Sequence, residues 1–261
     1  MKAVVLTCDR YHAFTGHMIS SYNELWPQHP FKFLIPYQTY PSALAEKHGP
    51  MAEFVPSPKS IMGTFHALLD HLPDDDEWIY WCIDDKYPIW IDTSVANDLL
   101  HWLPAASNTV SGVLMCRCRG LNHSANLLPW RGTKTPGGVS LLRRRNILQI
   151  WIHQFVRVKT IRWLCKNFPD RDFSAKEMDH FLSPNGHILE FPKEMHLYVT
   201  KYNYCIFGES TSRGKITRNC LQSFHRTGLP SPEFQVLDQD IIMGRRPDWL
   251  NRLSYFARPF K

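Results

Sequence analysis

Two adjacent carboxylates, Asp84 and Asp85, follow directly on the unbroken apolar run Trp78-Ile-Tyr-Trp-Cys-Ile83. A run apolar at every position is the pattern of a strand covered on both faces, and in open α/β sheets ligands bind beyond the carboxyl ends of such strands. Two acids held there repel one another and raise each other's pKa unless they share a cation. Hard divalent ions such as Mg²⁺ or Mn²⁺ bind through one or two carboxylates plus phosphate oxygens. A metal and diphosphate site therefore accounts for the pair. The plainer alternative is a solvated turn with two acids, against which the position after a buried strand weighs.

Other polar groups stand at predicted helix starts. Ser174-Ala-Lys-Glu177-Met-Asp179 opens a helix, and Ser174 with Glu177 forms the S-x-x-E of a capping box, which gives Glu177 a structural role. Asp179 has no such role. Ser212-Arg213-Gly214-Lys215 precedes a predicted helix, Ile216 to Phe224. The glycine would let the backbone approach a phosphate closely, although an ordinary solvated helix start explains the stretch equally well. Lys59, at another helix start, is a weaker phosphate candidate.

The elements that must position these groups alternate. Lys2-Ala-Val-Val-Leu-Thr-Cys-Asp9 reads as a buried strand running into a polar loop. Phe31-Lys-Phe-Leu-Ile35 reads as a second strand, stopping at Pro36. Ser57-Pro58 reads as an N-cap followed by proline at the first helical position. It leads into Ile61, Met62, Phe65, Leu68, Leu69 and Leu72, one apolar helix face. After the Trp78–Ile83 strand, a helix is expected at about 93–103 and a strand at about 109–116, so the chain begins as an α/β protein. A long stretch rich in Gly, Asn, Pro and Ser, 119–138, reads as a functional loop. From Leu141 to Lys166 the chain is apolar at helical intervals and strongly basic. Its charges form either a solvated face or a surface for anionic lipid or a phosphorylated acceptor.

Composition bounds the class. The 261 residues are 44% hydrophobic, 13% aromatic and 21% charged, an ordinary globular balance that argues against disorder and coiled coils. The longest apolar run has six residues where a membrane span needs about 20. The first residues lack a signal-peptide pattern, so a cytoplasmic location is expected, with peripheral contact to the inner face of a membrane left open. Seven scattered cysteines do not form a disulfide framework or a zinc ribbon. Thirty Lys and Arg against 24 Asp and Glu give a net charge of +6, which favours anionic partners. No nucleic-acid motif accompanies that charge. The chain also lacks G-x-S-x-G, a P-loop and a dinucleotide fingerprint.

With these features together, residues 1 to 230 resemble the GT-A class of nucleotide-sugar-dependent glycosyltransferases, whose DxD-type motif follows a buried central strand. Val4-Val-Leu-Thr-Cys-Asp9 looks like the first strand and nucleoside loop, which would put Thr7 and Asp9 at the donor. Ser57 to Leu72 looks like the helix before the motif strand. Pro136-Gly-Gly-Val-Ser-Leu-Leu-Arg143, Tyr202-Asn-Tyr-Cys-Ile-Phe-Gly and Ser212-Arg-Gly-Lys215 are similar to segments of small bacterial and viral surface-polysaccharide glycosyltransferases.

The resemblance implies a single GT-A-like domain with a mixed sheet flanked by helices. Its nucleotide-sugar half would be 1–118 and its acceptor half 119–261. It further implies transfer of a hexosyl or deoxyhexosyl group, with inversion, from a nucleotide-sugar to a glycan or lipid-linked acceptor, assisted by Mn²⁺ or Mg²⁺. Asp85 would hold the metal with Asp84 closer to the ribose, and His196 is a candidate nitrogen ligand. Asp179, with Glu177 as its neighbour, would deprotonate the acceptor. Arg213 and Lys215 would stabilise the departing diphosphate, and Trp130 and Arg131 in the long loop would meet the acceptor sugar. Ile83 stands where a full D-x-D has its first acid, which leaves open an inactive binding or scaffold domain. A sugar-phosphate nucleotidyltransferase is disfavoured by the loop Thr7-Cys-Asp-Arg-Tyr-His12.

Overall fold

The computed structural model describes residues 1–117, 127–145, 150–182, 192–212, 214–231 and 233–237. Its described strands include a nine-stranded mixed sheet flanked by helices, in the order β3-β2-β1-β4-β9-β6-β10-β8-β7. Six strands run parallel: β1 (Lys2–Leu6), β2 (Lys32–Tyr37), β3 (Ala52–Pro56), β4 (Trp78–Ile83), β6 (Val110–Leu114) and β10 (His196–Thr200). β9 (Gln154–Arg157) is inserted antiparallel between β4 and β6. β8 (Ser140–Arg144) runs antiparallel to both β10 and the edge strand β7 (Leu127–Lys134).

Every residue of β4 is buried, because both faces are covered. Tyr80 and Cys82 join the apolar layer beneath α1 (His12–Leu25) and α4 (Thr93–Trp102). Ile79, Trp81 and Ile83 join the opposite layer, beneath α3 (Ile61–Asp70), α5 (Val158–Asn167) and α6 (Ala175–Phe181). α2 (Ser42–His48) joins β2 to β3 on the α1 side, with Leu44 in that layer. A two-stranded ribbon of β5 (Lys86–Ile91) and β11 (Cys205–Glu209) packs beside α1. It is followed by a short hairpin, β12 (Thr211–Ser212) with β13 (Lys215–Ile216), and by α7 (Arg218–Thr227).

Several local expectations are corrected. The cap of α3 is Ser60, whose side chain accepts the Gly63 N–H at 3.1 Å; Ser57 and Pro58 precede it. β2 continues through Pro36 to Tyr37, a parallel partner of β3 at that position. The stretch 141–166 is not one helix, since it contributes β8 and β9 before α5 begins at Val158.

Four of its charges are engaged within the fold. Arg157 is 5% exposed, and it donates to Val110 O at 2.8 Å, Asp76 O at 2.6 Å and Ala106 O at 3.4 Å. Arg162 pairs with Asp75, and Lys159 with Asp76. Arg144 is buried beside Gln154. These four cations close backbone carbonyls and acidic turns or lie in the core, while Arg145 of the same stretch is exposed. Among the described residues no helix is long and apolar enough to cross a membrane.

Candidate functional site

Asp84 and Asp85 form the two-residue turn between β4 and β5, at the carboxyl end of a strand buried throughout its length. The chain leaves β1 through α1 on one face of the sheet, while α3 enters β4 from the other face. The carboxyl ends of these neighbouring strands therefore border a crevice of the kind in which α/β sheets bind ligands. The loop after β1, Thr7 to Tyr11, forms one wall, and the Asp84 N–H bonds back to Leu6 O at 3.3 Å. The segment after β11 forms another. The Ser210 N–H donates to Asp85 O at 2.7 Å, and its hydroxyl to Asp84 O at 3.4 Å. Thr217 bonds through its N–H to Ser210 O and caps α7, tying that helix start to the acidic turn.

Asp84 is 8% exposed. Burial, with the neighbouring Asp85 charge, pushes its carboxyl up to about 8, against hydrogen bonds from the Thr7 hydroxyl and the Asp85 and Cys8 N–H groups that favour ionisation. The Thr7 hydroxyl is itself held by Thr15 at 3.0 Å. Burial raises the Cys8 thiol and the Tyr11 phenol as well, with the Asp84 charge adding to both. Asp85 is half-buried. These shifts show a site that disfavours negative charge, so that Asp84 keeps a proton unless a cation offsets its ionised form.

Among the described residues no group of three or more His, Cys, Asp or Glu could hold a metal ion. The donor set fits a divalent ion held by the two carboxylates and completed by ligand oxygens, as Mg²⁺ and Mn²⁺ are commonly bound. It does not fit an all-protein cage.

The other candidates divide by position. Gly214 takes a left-handed φ of +74°, and a Cβ there would lie 3.4 Å from the Arg10 guanidinium. This brings the β12–β13 hairpin, with Lys215 half-buried on β13, against the β1 loop. Arg213 lies outside the described residues. Phe234 stacks on Tyr11 at 6.1 Å, and Arg10 lies over both rings. Lys59 is exposed beside the end of β3, in a segment held to the β2 loop by Gln38. Asp9 is also at this edge, but its carboxylate accepts the N–H groups of Gln38 and Thr39, both at 2.8 Å. Partial burial opposes ionisation of Asp9, and these bonds with nearby His12 outweigh it and lower its pKa. Asp9 thus braces the loop to the end of β2.

Glu177 completes the capping box and also meets Arg171 at 3.0 Å, so its carboxyl is held down to about 2 by the Ser174 N–H, by Arg171 and by the Ser174 hydroxyl. A carboxylate so engaged is a poor proton acceptor, which corrects its catalytic assignment. Asp179 lies two residues beyond Glu177 on α6, and its side chain lies outside the described residues. The neighbouring Met178 and Phe181 belong to the same apolar layer as Trp81 and Ile83.

His196 opens β10 and pairs with Val110 at the start of β6, whereas Asp84 follows the end of β4, which runs in the same direction. The two lie at opposite ends of the sheet, so His196 cannot join Asp84 at one ion. Trp130 and Arg131 are exposed on β7 rather than in a loop. Five strand spacings of about 4.8 Å, about 24 Å in all, separate β7 from β4, so the sheet does not bring this pair to the acidic turn. Sequence reasoning missed Ser210, whose only signal is its place after a strand, and His153, described below.

No protein-family model and no curated protein matches the chain. Solved structures similar to it include an active-site mutant of LgtC, at 12% identity and a TM-score of 0.41, covering 89% of this chain and 98% of that one. Residues 1–349 of S. aureus TarS share 11% identity at a TM-score of 0.45, covering 76% of this chain and 59% of that one. A mannosyltransferase from Pyrobaculum calidifontis, in complex with GDP-Man and Mn2+, shares 15% identity at a TM-score of 0.45, covering 82% and 57%.

Proposed function

We propose that the chain is a glycosyltransferase that moves a sugar, with inversion, from a nucleotide-sugar donor to a glycan or lipid-linked acceptor in surface polysaccharide synthesis. The observation that carries the reading is the buried Asp84 beside Asp85 at the crevice between β1 and β4, walled by the Thr7 loop and the Lys215 hairpin. Asp84 and Asp85 would hold Mn²⁺ or Mg²⁺, which when bound would neutralise diphosphate charge. Thr7 would fix the Asp84 carboxyl, Lys215 and Arg213 would carry part of the charge growing on the departing diphosphate, and Asp179 would take the acceptor hydroxyl's proton. Inversion needs such a base on the face opposite the leaving group.

The test is thermal stabilisation by a panel of nucleoside diphosphates and nucleotide sugars, with and without Mn²⁺, on wild type and Asp85→Asn. A ligand at 100 times its Kd adds about 2.7 kcal/mol. Metal-dependent stabilisation by one nucleotide, absent in the variant, is expected; no stabilisation by any nucleotide rejects the reading. The motif Ile83-Asp84-Asp85, which lacks the first acid of D-x-D, favours a second reading, a domain that binds without turning over. Nucleotide binding without release of diphosphate in the presence of acceptor would select it. Full turnover by Asp179→Asn would remove the base assignment.

A further inference from the structure

We propose that His153 is a positioning residue whose imidazole takes the place of a missing strand partner for Ile83 and so fixes the turn that carries Asp84 and Asp85. The inference deepens the proposed function, since it rests on that turn being the binding site.

β4 pairs with β9 from Trp78 opposite Arg157 to Trp81 opposite Gln154. The same register, continued, would place Ile152 opposite Ile83, the next residue whose N–H and C=O face β9. The ladder ends one step short, and Ile152 packs instead with Leu114 and Val199. An unpaired peptide group at a buried position is costly. The His153 side chain fills the gap: its Nε2 lies 3.1 Å from Ile83 N and 3.0 Å from Ile83 O. On the other side of the strand the Asp84 N–H is held by Leu6 O. The backbone entering the acidic turn is thus gripped from both neighbours, once by a strand and once by an imidazole.

The ring is itself fixed. It is fully buried, with Nδ1 2.6 Å from the Tyr22 hydroxyl, which donates to the Tyr80 hydroxyl at 2.9 Å. With that proton committed to Tyr80, Nδ1–H donates to Tyr22 and Nε2 is left to accept the Ile83 N–H, so in this tautomer the ring replaces the strand partner of the N–H and not of the C=O. Tyr22 stacks on one side at 5.8 Å, and Phe207 packs at 4.7 Å. Burial pushes the imidazole down to about 3, so the contact is made by the neutral ring.

These partners belong to the walls of the site. Tyr22 lies on α1, which emerges from the Thr7–Tyr11 loop, and Phe207 lies on β11, which leads to Ser210. A buried, fully connected polar group at the junction of three walls restricts how each can move.

The test uses amide hydrogen exchange on the full chain, resolved over residues 83–86, together with Mn²⁺ uptake read from the loss of the free aqueous Mn²⁺ signal. His153→Phe keeps the volume and removes the bond to Ile83. His153→Gln restores an amide near the Nε2 position. Phe155→Leu is the control, a core truncation whose backbone partner is Tyr80. Exchange at 83–86 should rise at least tenfold in His153→Phe, stay unchanged in Phe155→Leu at a similar loss of Tm, and return to within threefold of wild type in His153→Gln. Mn²⁺ affinity should follow the same order. Equal exchange in His153→Phe and Phe155→Leu overturns the proposal, as does His153→Gln exchanging as fast as His153→Phe. If His153→Phe does not fold, Tyr22→Phe, which removes only the hydroxyl holding Nδ1, replaces it with the same expected and refuting results. The expected exchange pattern without Mn²⁺ uptake by wild type would reject the metal reading and leave the clamp standing.

Discussion

Lowering the pH from 6.5 to 5 should remove about 4 kcal/mol of folding stability. Burial drives the pKa of His17, His29 and His48 down to about 4 and that of His153 to about 3, from an ordinary 6.5. The causes differ in detail. Neither ring nitrogen of His17 has a hydrogen-bond partner. His29 is satisfied only as the neutral ring, donating to Asn23 at 2.9 Å and accepting the Phe31 N–H at 3.1 Å. Because these folded-state values lie below the unfolded value, the unfolded chain takes up protons first as the pH falls through 6.5, and stability is lost. Asp84 acts in the opposite sense. Its folded value of about 8 exceeds the ordinary 3.8, so between those limits the folded chain holds one proton that the unfolded chain has released. Near pH 5.5 four histidines less one aspartate leave between two and three protons, or about 3.5 kcal/mol per pH unit, and the slope is smaller at pH 6.5, where the unfolded histidines are half-protonated. A domain with roughly 5–15 kcal/mol in total is then near unfolding at pH 5. Urea unfolding followed by tryptophan fluorescence at half-unit steps reads the slope directly. A slope below about 1.4 kcal/mol per unit, less than one proton, would refute the reasoning.

Above about pH 7, where the unfolded histidines have lost most of their protons, the sign reverses. Asp84 then dominates, so stability should fall with rising pH by less than about 1 kcal/mol up to pH 8, and Asp84→Asn should remove that fall. Arg157→Met, which leaves the Val110, Asp76 and Ala106 carbonyls without their donor, should lose about 3 kcal/mol in the same assay; a loss under about 1 kcal/mol would show those bonds to be dispensable. Gly214→Ala forces a side chain into the left-handed region beside Arg10, at about 1–2 kcal/mol, and should weaken any nucleotide-dependent rise in Tm. His196→Ala should leave Mn²⁺ affinity within twofold of wild type, because His196 lies at the far end of the sheet; a tenfold loss would contradict the topology.

The residues alone determined the parts of the fold that one local signal specifies. The all-apolar run at 78–83 could only be covered on both faces, and it is β4. The Ser174–Glu177 spacing is a capping box because cap geometry spans three residues. The helix at 93–102 follows from Asp92, whose side chain accepts the Val95 N–H, and from apolar periodicity. α1 escaped notice because His12, Thr15, His17 and Ser21 are buried along with Phe14, Met18 and Ile19, so no polar face marks its period. A helix enclosed by the sheet, the β5–β11 ribbon and its neighbours needs no such face. The stretch 141–166 misled for the converse reason: spacings that fit a helix also fit two strands and a short helix once long-range pairing holds the strands.

For the site, the sequence marked the acidic turn and the loop after β1, each next to its own strand. It did not show that Asp9 spends its carboxylate on nearby backbone groups, or that β9 inserts beside β4. Nor did it show that His196 and Trp130 lie away from the turn, or that Ser210 and His153 reach it. Those facts depend on strand order and register, which bring together residues more than a hundred positions apart through contacts that no local pattern encodes.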